Sequence, residues 1–287
     1  MAIRIHFGSW LANDRCFPAA RANCRRGLAA LCCMILTGCV ASTDQERHAA
    51  LEANRHLFTG NPQTVGLATY HLLSFNTDLE SIVVEPKTGK FSLKWGADRH
   101  FSEALCVGID GGGYILTAAH AVGNFCYVLG EMEGRYQVRR ARVVKKQTAD
   151  SPERDFAVLK VAATVNSLPY APEVSRGQPV FAVVLIRFGE MGGGMEDTAG
   201  RVLDIQPEPL GHGPKVIYCS VPARAGDSGG PLVDAAGKLL GITVGGQVLW
   251  EGLGLKHQSS TCRPEWQVLS QIIEDDRRAQ ASDGMQK

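Results

Sequence analysis

From Ser81 onward the chain reads as short runs rich in β-branched and aromatic residues, broken every few positions by Gly, Pro or Asp. The runs are Ser81 to Val84, Phe91 to Trp95, Ala104 to Ile109, Tyr114 to Thr117, Phe125 to Leu129, Tyr136 to Lys145 and Phe156 to Val161. Strands of this length, joined by turns such as Asp110-Gly111-Gly112-Gly113, argue for an all-β barrel or sandwich. A stretch from about Ala162 to Gln178, carrying Pro169 and Pro172, then precedes a second set of runs. These are Val180 to Phe188, Ala199 to Ile205, Lys215 to Val221, Gly230 to Val233 and Lys238 to Val244. The pattern predicts two β units joined by one linker. After Pro264, the apolar positions Val268, Leu269, Ile272 and Ile273 recur at helical spacing, and Pro264 stands where a helix packed on the core would start.

Composition narrows the class. With 45% hydrophobic and 21% charged residues, the 287-residue chain is neither a disordered tail, a coiled coil nor a polytopic membrane protein. Thirty Lys+Arg against 29 Asp+Glu give none of the basic excess that nucleic-acid binding needs. The charge is unevenly spread. Residues 1–39 hold Arg4, Arg15, Arg21, Arg25 and Arg26 against Asp14 alone, followed by the apolar run Gly27 to Gly38. A basic stretch before an apolar run too short to span a bilayer reads as an export signal. It ends Leu36-Thr37-Gly38-Cys39, which resembles the bacterial lipobox and marks Cys39 for lipid attachment to a membrane. A plain secretory signal or an uncleaved anchor are the other readings, and the Arg25-Arg26 pair also suggests a twin-arginine route. Residues 40–63 are polar, with a short helix around Ala49 to Leu57, and read as a tether.

Five of the nine cysteines fall within residues 1–39. The body keeps Cys106, Cys126, Cys219 and Cys262, an even number that in an exported chain predicts two disulfides. Three pairings are open. A zinc site using His120 competes, but the gap between Cys106 and Cys126 lacks the closely spaced cysteine pairs of structural zinc. No metal or other cofactor is expected.

The chemistry concentrates in Gly226-Asp227-Ser228-Gly229-Gly230-Pro231. A serine hydroxyl needs an adjacent base to act as a nucleophile, and glycines around it let backbone N–H groups converge on a developing oxyanion. Upstream, Thr117-Ala118-Ala119-His120 ends a strand on a histidine, and Asp155-Phe156-Ala157-Val158-Leu159 opens a strand with an acid. Gly226-x-Ser228-x-Gly230 also fits the nucleophile elbow of α/β-hydrolases, but only Asp234 and His257 lie suitably downstream of it.

The three motifs, in the order His, Asp, Ser, resemble those of trypsin-like serine proteases of the chymotrypsin fold over roughly Leu79 to Arg278. The resemblance implies two six-stranded antiparallel β-barrels with a C-terminal helix: residues 64–278 as the protease domain, barrels at about 79–161 and 178–262, and a tail at 279–287. Spacings of 35 and 73 residues between the three are closer to the compact bacterial and HtrA-like branches, without room after Gly230 for the PDZ domain that HtrA proteases append. It further implies His120 as general base, Asp155 as its orienting acid, Ser228 as nucleophile and the Gly226 and Ser228 N–H groups as oxyanion hole. Protein or peptide substrates follow; a catalytically silent scaffold is the alternative. Pocket walls would come from Val244-Gly245-Gly246 and from Pro222 and Ala223, where trypsin's acid is replaced by Pro222, pointing to a small or apolar residue before the cut. Asp227 would be buried, satisfied by Arg224 or backbone donors in a constitutively active fold. Cleavage before Ile82-Val83 is the other route. The family disulfide that brackets the catalytic histidine favours Cys106 with Cys126, leaving Cys219 with Cys262.

Overall fold

The computed structural model describes residues 5–6, 44–78, 81–84, 91–94, 101–185, 194–206, 215–251 and 254–285. The expected lipidation site Cys39, the apolar run before it and most of the glycine-rich stretch Gly189 to Gly194 lie outside the described residues. The N-terminal part contributes a two-residue strand, Ile5–His6 (β1), a helix at residues 44–54 (α1) and a short helix Pro62–Leu67 (α2) whose first turn is capped by the Asn61 side chain.

The first barrel is built from Thr69–Phe75 (β2), Phe101–Asp110 (β5), Tyr114–Thr117 (β6), Phe125–Met132 (β7), Arg135–Lys146 (β8) and Ala157–Val161 (β9). They close in the order β2-β5-β6-β9-β8-β7, so no strand edge is left open. The strands Ser81–Val84 (β3) and Phe91–Lys94 (β4) read from the sequence as barrel strands; they pair instead with each other in a separate hairpin between β2 and β5. The barrel strand that takes their place is β2, which the sequence pattern concealed. His71 and Ser74 interrupt its apolar run, yet all seven residues are buried. Burial is tolerated because His71 Nδ1 meets Glu103 at 3.2 Å and the Ser74 hydroxyl donates to the Ala121 carbonyl at 2.6 Å.

The second barrel comprises Pro179–Leu185 (β10), Met195–Gln206 (β11), Lys215–Cys219 (β12), Pro231–Asp234 (β13), Leu239–Glu251 (β14) and Gly254–Arg263 (β15). The order β14-β13-β10-β11-β12-β15 closes through β15 pairing back onto β14, and β1 adds to β14 at Gln247 and Val248. Strand β15 is polar in sequence and is not among the runs that the pattern predicts as strands. Its Ser259, Thr261 and Cys262 are nonetheless fully buried, because small side chains fill a tight barrel wall. One apolar cluster spans both barrels, and a second, around Val180, Ile217 and Leu240, lies within the second barrel. In the spanning cluster, Phe181, Val183, Val233 and Ile242 of the second barrel pack with Leu72, Leu116 and Val158 of the first. Burial of this kind contributes about 25 cal/mol per Å² of apolar surface removed from water.

The C-terminal helix Trp266–Met285 (α3) joins the spanning cluster through Leu269 and Ile273, one turn apart on one face, as its periodicity predicts. Beyond them, Asp276 accepts from Arg142 at 2.8 Å and from the Tyr114 hydroxyl at 3.0 Å, which fastens the helix across the first barrel. The Arg142 guanidinium holds the Asp276 carboxyl below the usual carboxylate range. Leu269 is fully buried between helix and barrel. Leu269→Ala is therefore expected to lower unfolding free energy by about 2–5 kcal/mol in a denaturant titration.

Candidate active site

His120 sits in a single 3-10 turn, Ala119–Ala121, directly after β6. Ala118 and Ala119 are fully buried there, and larger side chains would not fit under the turn. A second 3-10 turn, Pro152–Arg154, delivers Asp155 just before β9. Since β6 and β9 are neighbours in register, with Thr117 opposite Ala157, the two turns end side by side. Asp155 grips the histidine twice. Its Oδ1 accepts the His120 backbone N–H at 2.9 Å, and its Oδ2 lies 2.5 Å from His120 Nδ1. A carboxylate can only accept, so the Nδ1 proton points at Asp155 and Nε2 is left as an acceptor. The Ser228 hydroxyl lies 2.9 Å from that Nε2.

Ser228 comes from the other barrel, on the loop before β13. Gly226 and Gly229 adopt positive φ values of 102° and 83°, which L side chains rarely take. At Gly229 a Cβ would also strike the Leu105 carbonyl oxygen at 2.0 Å. The loop is pinned from both sides. The Leu105 N–H of β5 donates to the Ser228 carbonyl at 2.8 Å, and the Gly229 N–H donates to the Thr243 carbonyl of β14 at 2.7 Å. The N–H groups of Gly226 and Ser228 find no acceptor among the described residues.

Between those two N–H groups lies Asp227, fully buried. Its Oδ1 accepts the Leu185 N–H at 2.9 Å and its Oδ2 the Arg224 N–H at 2.7 Å. These are the backbone donors expected from the sequence. The cation, however, is not Arg224. That guanidinium turns to Asp44 at 2.7 Å and to the Leu185 carbonyl at 2.6 Å. Arg47, from the segment read as a tether, pairs with Asp227 Oδ2 instead and is itself fully buried. Burial pushes the Asp227 carboxyl up and the Arg47 guanidinium down, and each charge draws the other back. Ile82 and Val83 lie mid-strand, paired with Leu93 and Ser92 in the outlying hairpin. No sequence pattern marks Arg47; only the need of a buried acid for a cation hinted that such a residue exists.

The five residues expected to wall a substrate pocket surround the same loop. Pro222 and Val244 are buried, while Ala223, Gly245 and Gly246 are half-buried. A side chain at Gly246 would strike the Ala223 carbonyl, so β14 and the Pro222–Ala223 stretch meet directly. None of the five carries a charge. Among the described residues no group of three or more His, Cys, Asp or Glu side chains could hold a metal ion.

The disulfides predicted for the body are absent: Cys106, Cys126, Cys219 and Cys262 are free, buried thiols. Strand register explains it. Cys219 lies opposite Ser259 while Cys262 lies opposite Val216, three residues along the same strand pair. Three residues span about 10 Å and reverse the face, beyond the ~7 Å that a disulfide bridges. Cys106 and Cys126 flank β2 on opposite sides, at Tyr70 and Ser74, four residues apart. The Cys262 thiol donates instead to the Glu153 carbonyl at 3.2 Å, beneath the turn that carries Asp155.

Residues 104–242 match the family model for the trypsin-like peptidase domain. This stretch is similar to trypsin-like peptidase domains. The match spans all three residues His120, Asp155 and Ser228. No curated protein matches the chain in sequence. Among solved structures, the HtrA-type protease AlgW with tripeptide superposes with a TM-score of 0.51 at 22% identity, covering 75% of this chain and 64% of that one. A substituted form of the same protease, also with tripeptide, gives 0.50 at 20%, with 72% and 60% covered. Deg5 gives 0.50 at 17%, with 76% and 91% covered. The chain thus spans less than two thirds of the AlgW chains. Likeness at this identity carries the fold: two closed six-stranded barrels and a C-terminal helix, as in the HtrA-type proteases.

Burial pushes the Cys106, Cys219 and Cys262 thiols of the peptidase-like barrels above their ordinary range. The native protein is expected to resist a thiol reagent at the four body cysteines, all of which react once it is unfolded without reductant. A mass-mapped disulfide joining Cys106 to Cys126 or Cys219 to Cys262 would contradict the strand register.

Proposed function

We propose that the protein is a serine endopeptidase that cleaves peptide bonds through an acyl-enzyme. The observation that carries this reading is the unbroken line from Asp155 Oδ2 to His120 Nδ1 and from His120 Nε2 to Ser228 Oγ, at 2.5 and 2.9 Å. In this reading Ser228 Oγ attacks the scissile carbonyl while His120 Nε2 takes its proton, then returns it to the leaving amine. Asp155 keeps the Nδ1 proton in place and stabilises the imidazolium. The Gly226 and Ser228 N–H groups, without an acceptor among the described residues, would receive the oxyanion, a contribution of about 2.7–4 kcal/mol per donor in related chemistry. Water then releases the acyl group by the same proton path.

The uncharged walls at Pro222, Ala223, Val244, Gly245 and Gly246 suit a small or apolar side chain before the cut. The tripeptide-bound AlgW structure is consistent with peptides as the ligand class. Attachment to a bacterial envelope membrane through a lipidated Cys39, with envelope or extracellular proteins as substrates, rests on the N-terminal residues alone. The free cysteines lend it no further weight.

An active-site fluorophosphonate is expected to label the wild type and not Ser228→Ala. Peptide hydrolysis should fall by about 10⁴-fold in Asp155→Asn and by at least as much in Ser228→Ala and His120→Ala. Wild-type protein that neither labels nor cleaves would point to a peptide-binding scaffold. A peptide library dominated by Arg, Lys or Glu before the cut would contradict the pocket reading. Cys39→Ser should move the protein from membrane to soluble fractions, and a mutant still membrane-bound would refute the lipid anchor.

A further inference from the structure

The groups around Asp227 raise a question that the peptidase reading leaves open: why a residue of the N-terminal helix is buried behind the nucleophile. Arg47 commits its whole guanidinium to one place. Nε donates to the Pro222 carbonyl at 3.0 Å, Nη1 to the Leu185 carbonyl at 3.3 Å, and Nη2 to Asp227. These three acceptors frame the loop that carries Gly226 and Ser228. Around them, α1 is held by further polar contacts to the second barrel. Asp44 takes Arg224 at 2.7 Å, Glu46 takes His257 at 3.3 Å, and the Arg47 carbonyl accepts the Thr198 hydroxyl at 3.4 Å. Downstream, Phe58 packs on Phe181 at 4.6 Å and the Thr59 N–H donates to the Ala235 carbonyl at 2.8 Å. The segment is therefore seated along its length.

A buried carboxylate that loses the cation bonded to it is costly to keep and relieves the cost by turning to solvent. Asp227 cannot turn without rotating the peptides on either side of it. The N–H of Ser228 belongs to one of those peptides, and the N–H of Gly226 lies one residue beyond the other. Gly226, at a φ open chiefly to glycine, offers no steric barrier to such a rotation. We infer that Arg47 is a positioning residue: by holding Asp227 buried, it fixes the two N–H groups that would receive the oxyanion, and so makes the N-terminal helix part of the working site. The inference rests on the serine-peptidase reading. Its consequence runs opposite to activation by cleavage, because loss of the segment before the first barrel would switch the site off.

The test uses the full chain. Arg47→Ala is expected to lower kcat by about 100-fold or more, the scale of one lost oxyanion donor, with a smaller change in KM and a matching fall in fluorophosphonate labelling rate. Guanidinium or methylguanidinium at tens of millimolar should restore part of that rate by refilling the space. Arg47→Lys supplies a readout that a merely structural role would not move. A guanidinium keeps its charge throughout the working range, whereas a buried ammonium titrates. The lysine would face Asp227 and Arg224 of the loop, Asp44 of α1 and Glu196 of β11. Its kcat profile should gain an alkaline limb that the wild type lacks, and this arm decides the matter if Arg47→Ala does not fold. Wild-type kcat in folded Arg47→Ala overturns the inference. So does a loss that neither guanidinium nor Arg47→Lys relieves, with no new alkaline limb. Wild-type protein that fails to label at Ser228 would instead overturn the peptidase reading itself.

Discussion

The buried Asp227 carboxylate is the constraint around which this end of the molecule is arranged. It lies next to Ser228, out of solvent, and both oxygens are taken by the N–H groups of Leu185 and Arg224 and by Arg47. Each partner comes from a different part of the chain: β10, the loop itself and α1. Satisfying one acid thus ties a barrel strand, the Ser228 loop and the N-terminal helix into one unit. Interior charges carry large desolvation penalties, so the arrangement holds as a set and is lost as a set.

The same loop joins the two barrels. His120 and Asp155 stand at adjacent ends of neighbouring strands of the first barrel, so their mutual geometry is set by the pairing of β6 with β9. The serine is supplied by the second barrel, and its distance to the histidine depends on how the barrels dock. The Leu105 N–H to Ser228 carbonyl hydrogen bond crosses between the barrels, and the Gly229 N–H to Thr243 carbonyl bond holds the loop to its own barrel; no side-chain substitution removes either directly. The shared apolar core and α3 add the bulk of the cohesive surface, and polar contacts near the loop provide its register.

Much of this was readable in the chain. The runs at Tyr114 to Thr117 and Lys215 onward became strands where expected, and Leu269 and Ile273 became the buried face of a helix, since alternation and helical period survive any packing. Strands β2 and β15 were hidden by His71, Ser74, Ser259 and Thr261, polar residues whose burial is made tolerable by hydrogen bonds or small size inside a closed wall. The apolar hairpin of β3 and β4 was assigned to the barrel because its pattern is that of any strand pair. Even-numbered cysteines suggested bridges, but whether two thiols meet is a matter of strand register.

Residue types and their order, His120 then Asp155 then Ser228 amid glycines, follow from local sequence because each motif also dictates its own turn. Tertiary structure alone decided which cation answers Asp227. Arg47 lies 180 residues away, in a polar segment with nothing to distinguish it from a solvated linker. A contact of that separation has no local pattern, because it exists only when two closed barrels and the helix before them have already brought the partners into the same dry space.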